Sequence, residues 1–261
     1  MAVTLGTAYG KGIVGALIGL ALSGMATGPI LAETAPNPAQ TTPAQTTPAQ
    51  TAPLSDRQGQ DWIDLLHLRP IVEVMQAEGQ DYGGQLRDEM FPGQAGAEWS
   101  ATVTRIYDPD RMLTEIGAVL AKDLGGDPGA GPDVQAEAQA FFGSALGQKI
   151  LSLEVSARRA LLDKATESAA QQTAAEMEAQ NTPRFEALRR FARTNDLIEL
   201  NVMGAMNANL AFYRGMSQGG AFGDGMTESD MLAEIWAQEP QVRADAEDWL
   251  WPYLALAYQP L

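Results

Sequence analysis

Residues 197–216, LIELNVMGAMNANLAFYRGM, decide the fold, because Ile198, Val202, Met206, Leu210 and Tyr213 recur in them every three or four positions. At 3.6 residues per turn such positions are stacked neighbours, so the five side chains form one apolar stripe on an α-helix. From Leu54 onward no stretch alternates apolar and polar residues between hairpin turns. The spacing therefore predicts an all-α protein.

Just upstream, Thr182-Pro183 restarts a helix with a stripe of Phe185, Leu188 and Phe191. Downstream, Gly219-Gly220 and Gly223-Asp224-Gly225 read as a loop, and Thr227 as the cap of a helix bearing Met231, Leu232, Ile235 and Trp236. Pro240 is read as opening the last helix, which carries Val242, Trp249, Leu250, Tyr253 and Leu256.

Further back, one long helix is expected over 145–180 with Ser144 as its cap, after a helix over 133–142. Asp108-Pro109-Asp110 starts a helix through Met112, Leu113, Ile116 and Leu120 that stops at Gly125-Gly126. The earliest segment carries Trp62, Leu65, Leu66, Ile71 and Met75, with a break expected at Arg69-Pro70. Residues 82–90 read as a short second segment ended by Phe91-Pro92-Gly93. The expected architecture is an antiparallel helical bundle.

Residues 197–216 also echo 70–90 in their spacing of Ile, Val, Met, Tyr and Leu, and each is followed by a Gly-containing loop and a Trp-bearing stretch. This predicts two similar helical halves, 54–180 and 181–261, the second lacking its last helix pair.

The front of the chain is different. After Lys11, residues 12–32 (GIVGALIGLALSGMATGPILA) hold no charge, which fits a signal peptide cleaved near Ile30-Leu31-Ala32 or Gly24-Met25-Ala26. The same stretch is long enough to cross a hydrocarbon core of ~30 Å as a retained anchor, although Gly24, Gly28 and Pro29 weaken its second half. Residues 1–32 are thus read as signal peptide or membrane anchor. Residues 33–53, with Pro-Ala-Gln-Thr-Thr at Pro38 and Pro43 and a variant at Pro48, read as a disordered, extended linker. At about 3.1 Å per residue it would reach roughly 60 Å. The expected location is the periplasm, soluble or tethered to the inner membrane.

Composition narrows the function. The chain carries 33 Asp and Glu against 17 Lys and Arg. Nucleic-acid binding and attachment to anionic lipid both need basic clusters that this balance lacks. With no cysteine, disulfides, thiolate zinc sites, a cysteine nucleophile and a lipid-modified N-terminal cysteine are all excluded.

No catalytic set emerges. His67, the one histidine, sits between Leu66 and Leu68 and reads as structural. Ser144 lacks the glycine two positions before it that a nucleophile elbow needs; Phe142 stands there. The glycine-rich residues 125–132 lack the Lys-Ser/Thr ending of a P-loop, and 224–230 lack the alternation of a calcium loop. Glu228, Asp230 and Glu234 sit in the first turns of a helix, where acids complement the macrodipole. Asp245, Glu247 and Asp248 beside Trp249 and Trp251 have the residue types of a sugar site, but all five fall within two turns of one helix and point around its circumference. No cofactor or metal site is expected. Asn201, Asn207 and Asn209 either specify helix pairing from a buried position or lie idle at the surface. Met203, Met206, Met216, Met226 and Met231 read as core or adaptable contact surface.

Residues 141–151, FFGSALGQKIL, resemble the signature segment of the bacterial family of unknown function numbered 2059, with an aromatic pair, a small polar spacer and then Gly-Gln-Lys. Residues 209–213 (NLAFY) and 249–258 (WLWPYLALAY) are similar to its alphaproteobacterial relatives. The resemblance implies a helical, exported protein of Gram-negative bacteria with no established activity, and a chain ending before the last helix of its relatives. It also gives the segment a packing role, in which Ser144 caps a helix and Gly147 permits close contact, against the alternative that Gln148 and Lys149 bind a ligand. The expectation is a non-enzymatic interaction module of the cell envelope that packs against a protein partner. The alternatives are a carrier of an apolar small molecule or lipid, and a hydrolase.

Overall fold

The computed structural model describes residues 54–90, 93, 96–125, 132–222 and 227–261. The leader and linker readings, the loop at 126–131, Asp224 and Met226 lie outside these residues. The described part is all-α. Ten helices follow in order: α1 Leu54–Leu65, α2 Leu68–Met90, α3 Ala97–Ile106, α4 Pro109–Gly125, α5 Pro132–Phe142, α6 Ala145–Ala160, α7 Lys164–Ala179, α8 Pro183–Thr194, α9 Leu197–Gln218 and α10 Glu228–Ala257. Among the described residues no helix is long and apolar enough to cross a membrane.

One core lies where α1, α2 and α4 meet, with Trp62, Ile63, Leu66, Val72, Leu113 and Leu120 buried together. Helices α1 and α4 pass very close, since a Cβ on Gly59 would stand 2.4 Å from the Gly117 carbonyl oxygen. A second core is built on α10, whose Leu250, Tyr253, Leu254 and Ala257 pack with Ala157 of α6, Ala174 of α7 and Leu188 and Ala192 of α8. Helix α10 then continues against α9. Tyr213 meets Met231 and Ile235, and Val202 and Ala205 meet Val242 and Ala246. That register makes α9 and α10 an antiparallel hairpin.

Local chemistry sets the boundaries, and four of them differ from expectation. The first break falls at His67, which adopts φ 54°, so Arg69 and Pro70 lie in the first turn of α2, where a proline sacrifices little. Residues 82–90 are the second half of α2 and not a separate segment. Glycines 79, 83 and 84 do not interrupt it; Tyr107 packs at Gly79, Val103 of α3 packs at Gly83, and Trp99 Nε1 donates to the Gly83 carbonyl at 2.7 Å. The long helix expected over 145–180 is two helices, because the Asp163 carboxylate accepts the Thr166 amide at 2.8 Å and starts α7 afresh. Pro240 does not open a helix. It sits inside α10, which begins at a capping box in which Thr227 and Asp230 exchange side-chain-to-backbone bonds. Pro240 is exposed, so the carbonyl that loses its helical donor is on the face where that loss costs least.

Candidate functional site

Helix α6 carries Gly147, Leu151, Glu154, Arg158 and Leu161 at its inward-facing positions or just beyond, a heptad-like spacing with two charged residues in an otherwise apolar stripe. Both charges are buried, Glu154 at 7% exposure and Arg158 at 1%. Arg158 Nη2 donates to Glu78 Oε2 of α2 at 2.7 Å. Its guanidinium carbon also stands 5.4 Å from the centre of the Trp249 ring of α10. Trp249 in turn stacks on Tyr253, with centroids 4.8 Å apart and planes at 17°. Tyr258, at the end of α10, donates its hydroxyl to Glu154. The main chain there is held by Arg184, which donates to the Gln259 carbonyl at 2.9 Å. These contacts join α2, α6, α8 and α10 through one polar seam.

Burial governs the protonation of this seam. It pushes Glu154 up to about 7, with the Tyr258 hydroxyl opposing the shift. It also raises Glu78, against the pull of Arg158. Tyr107, at the end of α3, is raised by burial and by the Glu78 charge. Tyr258 is raised by burial first and then by Glu154. Nε and Nη1 of Arg158 and the Tyr253 hydroxyl are buried without a hydrogen-bond partner.

In front of the seam is a cleft of about 410 Å³ between α2, α7 and α10, within the size range of ligand-binding pockets. Five carboxylates line it: Glu78 and Asp81 from α2, Glu167 from α7, and Asp245 and Asp248 from α10. Leu161, Leu162, Trp249 and Pro252 supply the apolar wall. Lys164 is also in the lining and bonds Glu167 at 3.1 Å. Among the described residues no three His, Asp or Glu side chains stand close enough to hold a metal ion.

The residues singled out in the sequence fall in several places. Asp245, Asp248 and Trp249 do share the cleft, whereas Trp251 packs on Phe185 at 5.4 Å. Glu228 pairs with Arg214 across the α9–α10 connection, Asp230 completes the capping box, and Glu234 is exposed, so these three acids form no common site. His67 occupies the left-handed turn between α1 and α2. Ser144 accepts the Gly147 amide at 3.1 Å, and a Cβ on Gly147 would stand 2.2 Å from the Phe141 carbonyl, which is the packing role expected of 141–151. Gln148 donates to the carbonyls of Leu65 and Phe142 at 3.0 and 2.8 Å, and Lys149 is exposed. Asn201 and Asn209 are buried and Asn207 is exposed; Asn201 donates to the Leu197 carbonyl at 2.6 Å.

Sequence reasoning missed Glu78, Asp81, Glu154, Arg158, Lys164 and Glu167. The signal for Glu154 and Arg158 was present as charge inside a heptad-like stripe. No comparable pattern marks the other four. No family model, curated protein or solved structure matches this chain.

Proposed function

We propose that this protein is an exported, non-enzymatic helical module of the cell envelope that binds a protein partner, and that the α2–α7–α10 cleft receives lysine or arginine side chains of that partner. The observation that carries the reading is the lining: five carboxylates from three helices around an apolar wall, of which Glu167 is paired with Lys164 and Glu78 with Arg158, while Asp81, Asp245 and Asp248 are left to meet a cation from outside. Carboxylates gathered around one opening add their potentials there and attract a matching cation more strongly than the same groups dispersed over the surface. The chain's charge of −16 draws a basic partner from a distance and repels acidic ones. A cleft so rich in carboxylate is a poor host for an apolar small molecule or lipid.

The test compares the wild-type full chain with a variant carrying Asp81→Asn, Asp245→Asn and Asp248→Asn as immobilised bait for an envelope extract. Asp81 and Asp248 are exposed and Asp245 is half-buried, so the variant retains the helical melting transition. The expected result is a discrete basic protein held by the wild type and released by moderate salt, with retention lost in the variant. Equal retention by both baits would overturn the reading.

A further inference from the structure

Apart from its start beside α8, helix α9 packs along α10, and the hairpin buries only the seam between the two. One flank of that seam stays apolar and open. Leu232 and Trp236 lie about 100–140° around α10 from the buried Met231, at 100° per residue, on the same side as Arg243. Arg243 bonds Glu199 of α9 at 2.6 and 2.9 Å, which locates the matching flank of α9. Met203, Met206 and Leu210 follow Glu199 at four-, seven- and eleven-residue spacing and share that flank. Trp236 is 67% exposed and Met203 54%, while Met206 and Leu210 are half-buried. By this arithmetic an apolar strip about three turns long runs beside the seam, along the shallow groove that any two packed helices leave between them, with Trp236 and Met203 its most exposed side chains.

We infer that a basic amphipathic helix of a protein partner docks in this groove and completes a three-helix bundle with α9 and α10. A helix matches the groove because ridges of residues three and four apart fit between two antiparallel helices, and methionine adapts to their shape. Basic flanks follow from the charge of the rim. At 100° per residue Glu228, Glu239 and Glu247 of α10 and Glu199 of α9 fall on this flank together with Arg214 and Arg243, four acids against two bases among the described residues. Arg214 is already bonded to Glu228, and Arg243 to Glu199 and Glu239. The same excess of acid argues against a second copy of this chain, whose charge of −16 would be brought against itself. Trp236 is the anchor, since exposed tryptophans that become buried on association carry a large share of binding energy.

The test titrates the full chain with a labelled three-heptad peptide of leucine and lysine with helical periodicity, a leucine and glutamate counterpart, and a scrambled leucine–lysine peptide. The ordered leucine–lysine peptide binds and slows hydrogen exchange over 203–210 and 232–236, and the other two bind at least tenfold more weakly. Trp236→Ala weakens the ordered peptide at least tenfold without changing the melting temperature, and Met203→Lys does the same from the other helix. Neutralising Asp81, Asp245 and Asp248 leaves this binding intact, which separates the groove from the cleft. Binding of the scrambled peptide as tight as that of the ordered one would overturn the inference. So would binding unaffected by Trp236→Ala and Met203→Lys, a wild-type dimer that Trp236→Ala dissociates, or docking of the same face on anionic vesicles.

Discussion

Glu154 carries the clearest consequence of the fold for a single side chain. Its folded value of about 7 lies above the usual carboxylate value of 4.5, so the folded protein holds a proton that the unfolded chain has released. The associated stability is complete below pH 4.5 and is lost as pH rises through about 7, a swing on the order of 3 kcal/mol at most. Glu78 acts in the same direction. Asp163, Asp230 and Glu199 act oppositely, because hydrogen bonds hold them below their ordinary values and their contribution disappears in stronger acid. Melting temperature is therefore expected to rise as pH falls from 8 to about 5.5 and to fall again below about 4. Glu154→Gln should flatten the upper limb by melting higher than wild type at pH 8, as seen by circular dichroism across pH. Glycines give a second contrast at this scale. Gly147→Ala drives a methyl group into the Phe141 carbonyl and the α5–α6 turn and should cost about 2 kcal/mol or more in urea unfolding. Gly204→Ala, in a helix with nothing within 4 Å of the new methyl, should stabilise by about 0.5–1 kcal/mol. The Ser144 cap was legible in the sequence from its side chain and the helix that follows, whereas the close approach at Gly147 was expected only through the family resemblance of 141–151. The partners of Glu154 were not, since Tyr258 lies 104 positions away and no local pattern links them.

Among the elements, legibility followed capping chemistry. Thr182-Pro183, Asp108-Pro109 and Ser144 each start a helix where expected, because the side-chain oxygen that satisfies the first amides is adjacent in sequence. Failures arose where a tertiary contact, or a second local signal, overrode the cue that was read. Residues 82–90 read as a separate segment, yet Val103 of α3 and Tyr107 just after it pack at Gly83 and Gly79, and the helix is continuous. Asp163 is a cap hidden in an alanine- and glutamine-rich run that reads as one helix. Proline at 240 looks like a start, while the capping box at Thr227 had already begun the helix thirteen residues earlier. Two expected outcomes separate these readings. If α10 is continuous, Pro240→Ala restores a backbone donor in mid-helix and should stabilise by about 1 kcal/mol or more; if Pro240 opened a helix, alanine would be neutral or worse. Thr227→Ala should cost about 1 kcal/mol by removing the capping box, measured by urea titration.

Across the whole molecule, the all-α architecture was written in the spacing of apolar residues, as Ile198 to Tyr213 showed first. The position of the cleft was not. It requires α2, α7 and α10 to converge, and its acids read in isolation as ordinary solvated faces of three separate helices. The aromatic end of α10 shows the same limit: Trp249, Trp251 and Tyr253 pack into the second core and the cleft wall, and the exposed aromatic of α10 is Trp236. The acidic balance of 33 against 17 acquires a location in the folded chain, since five of the acids face one cleft. The most direct measurement is photo-crosslinking in intact cells from a photoreactive residue at Leu162, on the wall of that cleft, followed by sequencing of the attached peptide. The account predicts one dominant adduct through a lysine- or arginine-rich segment, abolished by Asp81→Asn, Asp245→Asn and Asp248→Asn together. An adduct that is acidic in character, or that persists undiminished in the triple variant, would contradict it.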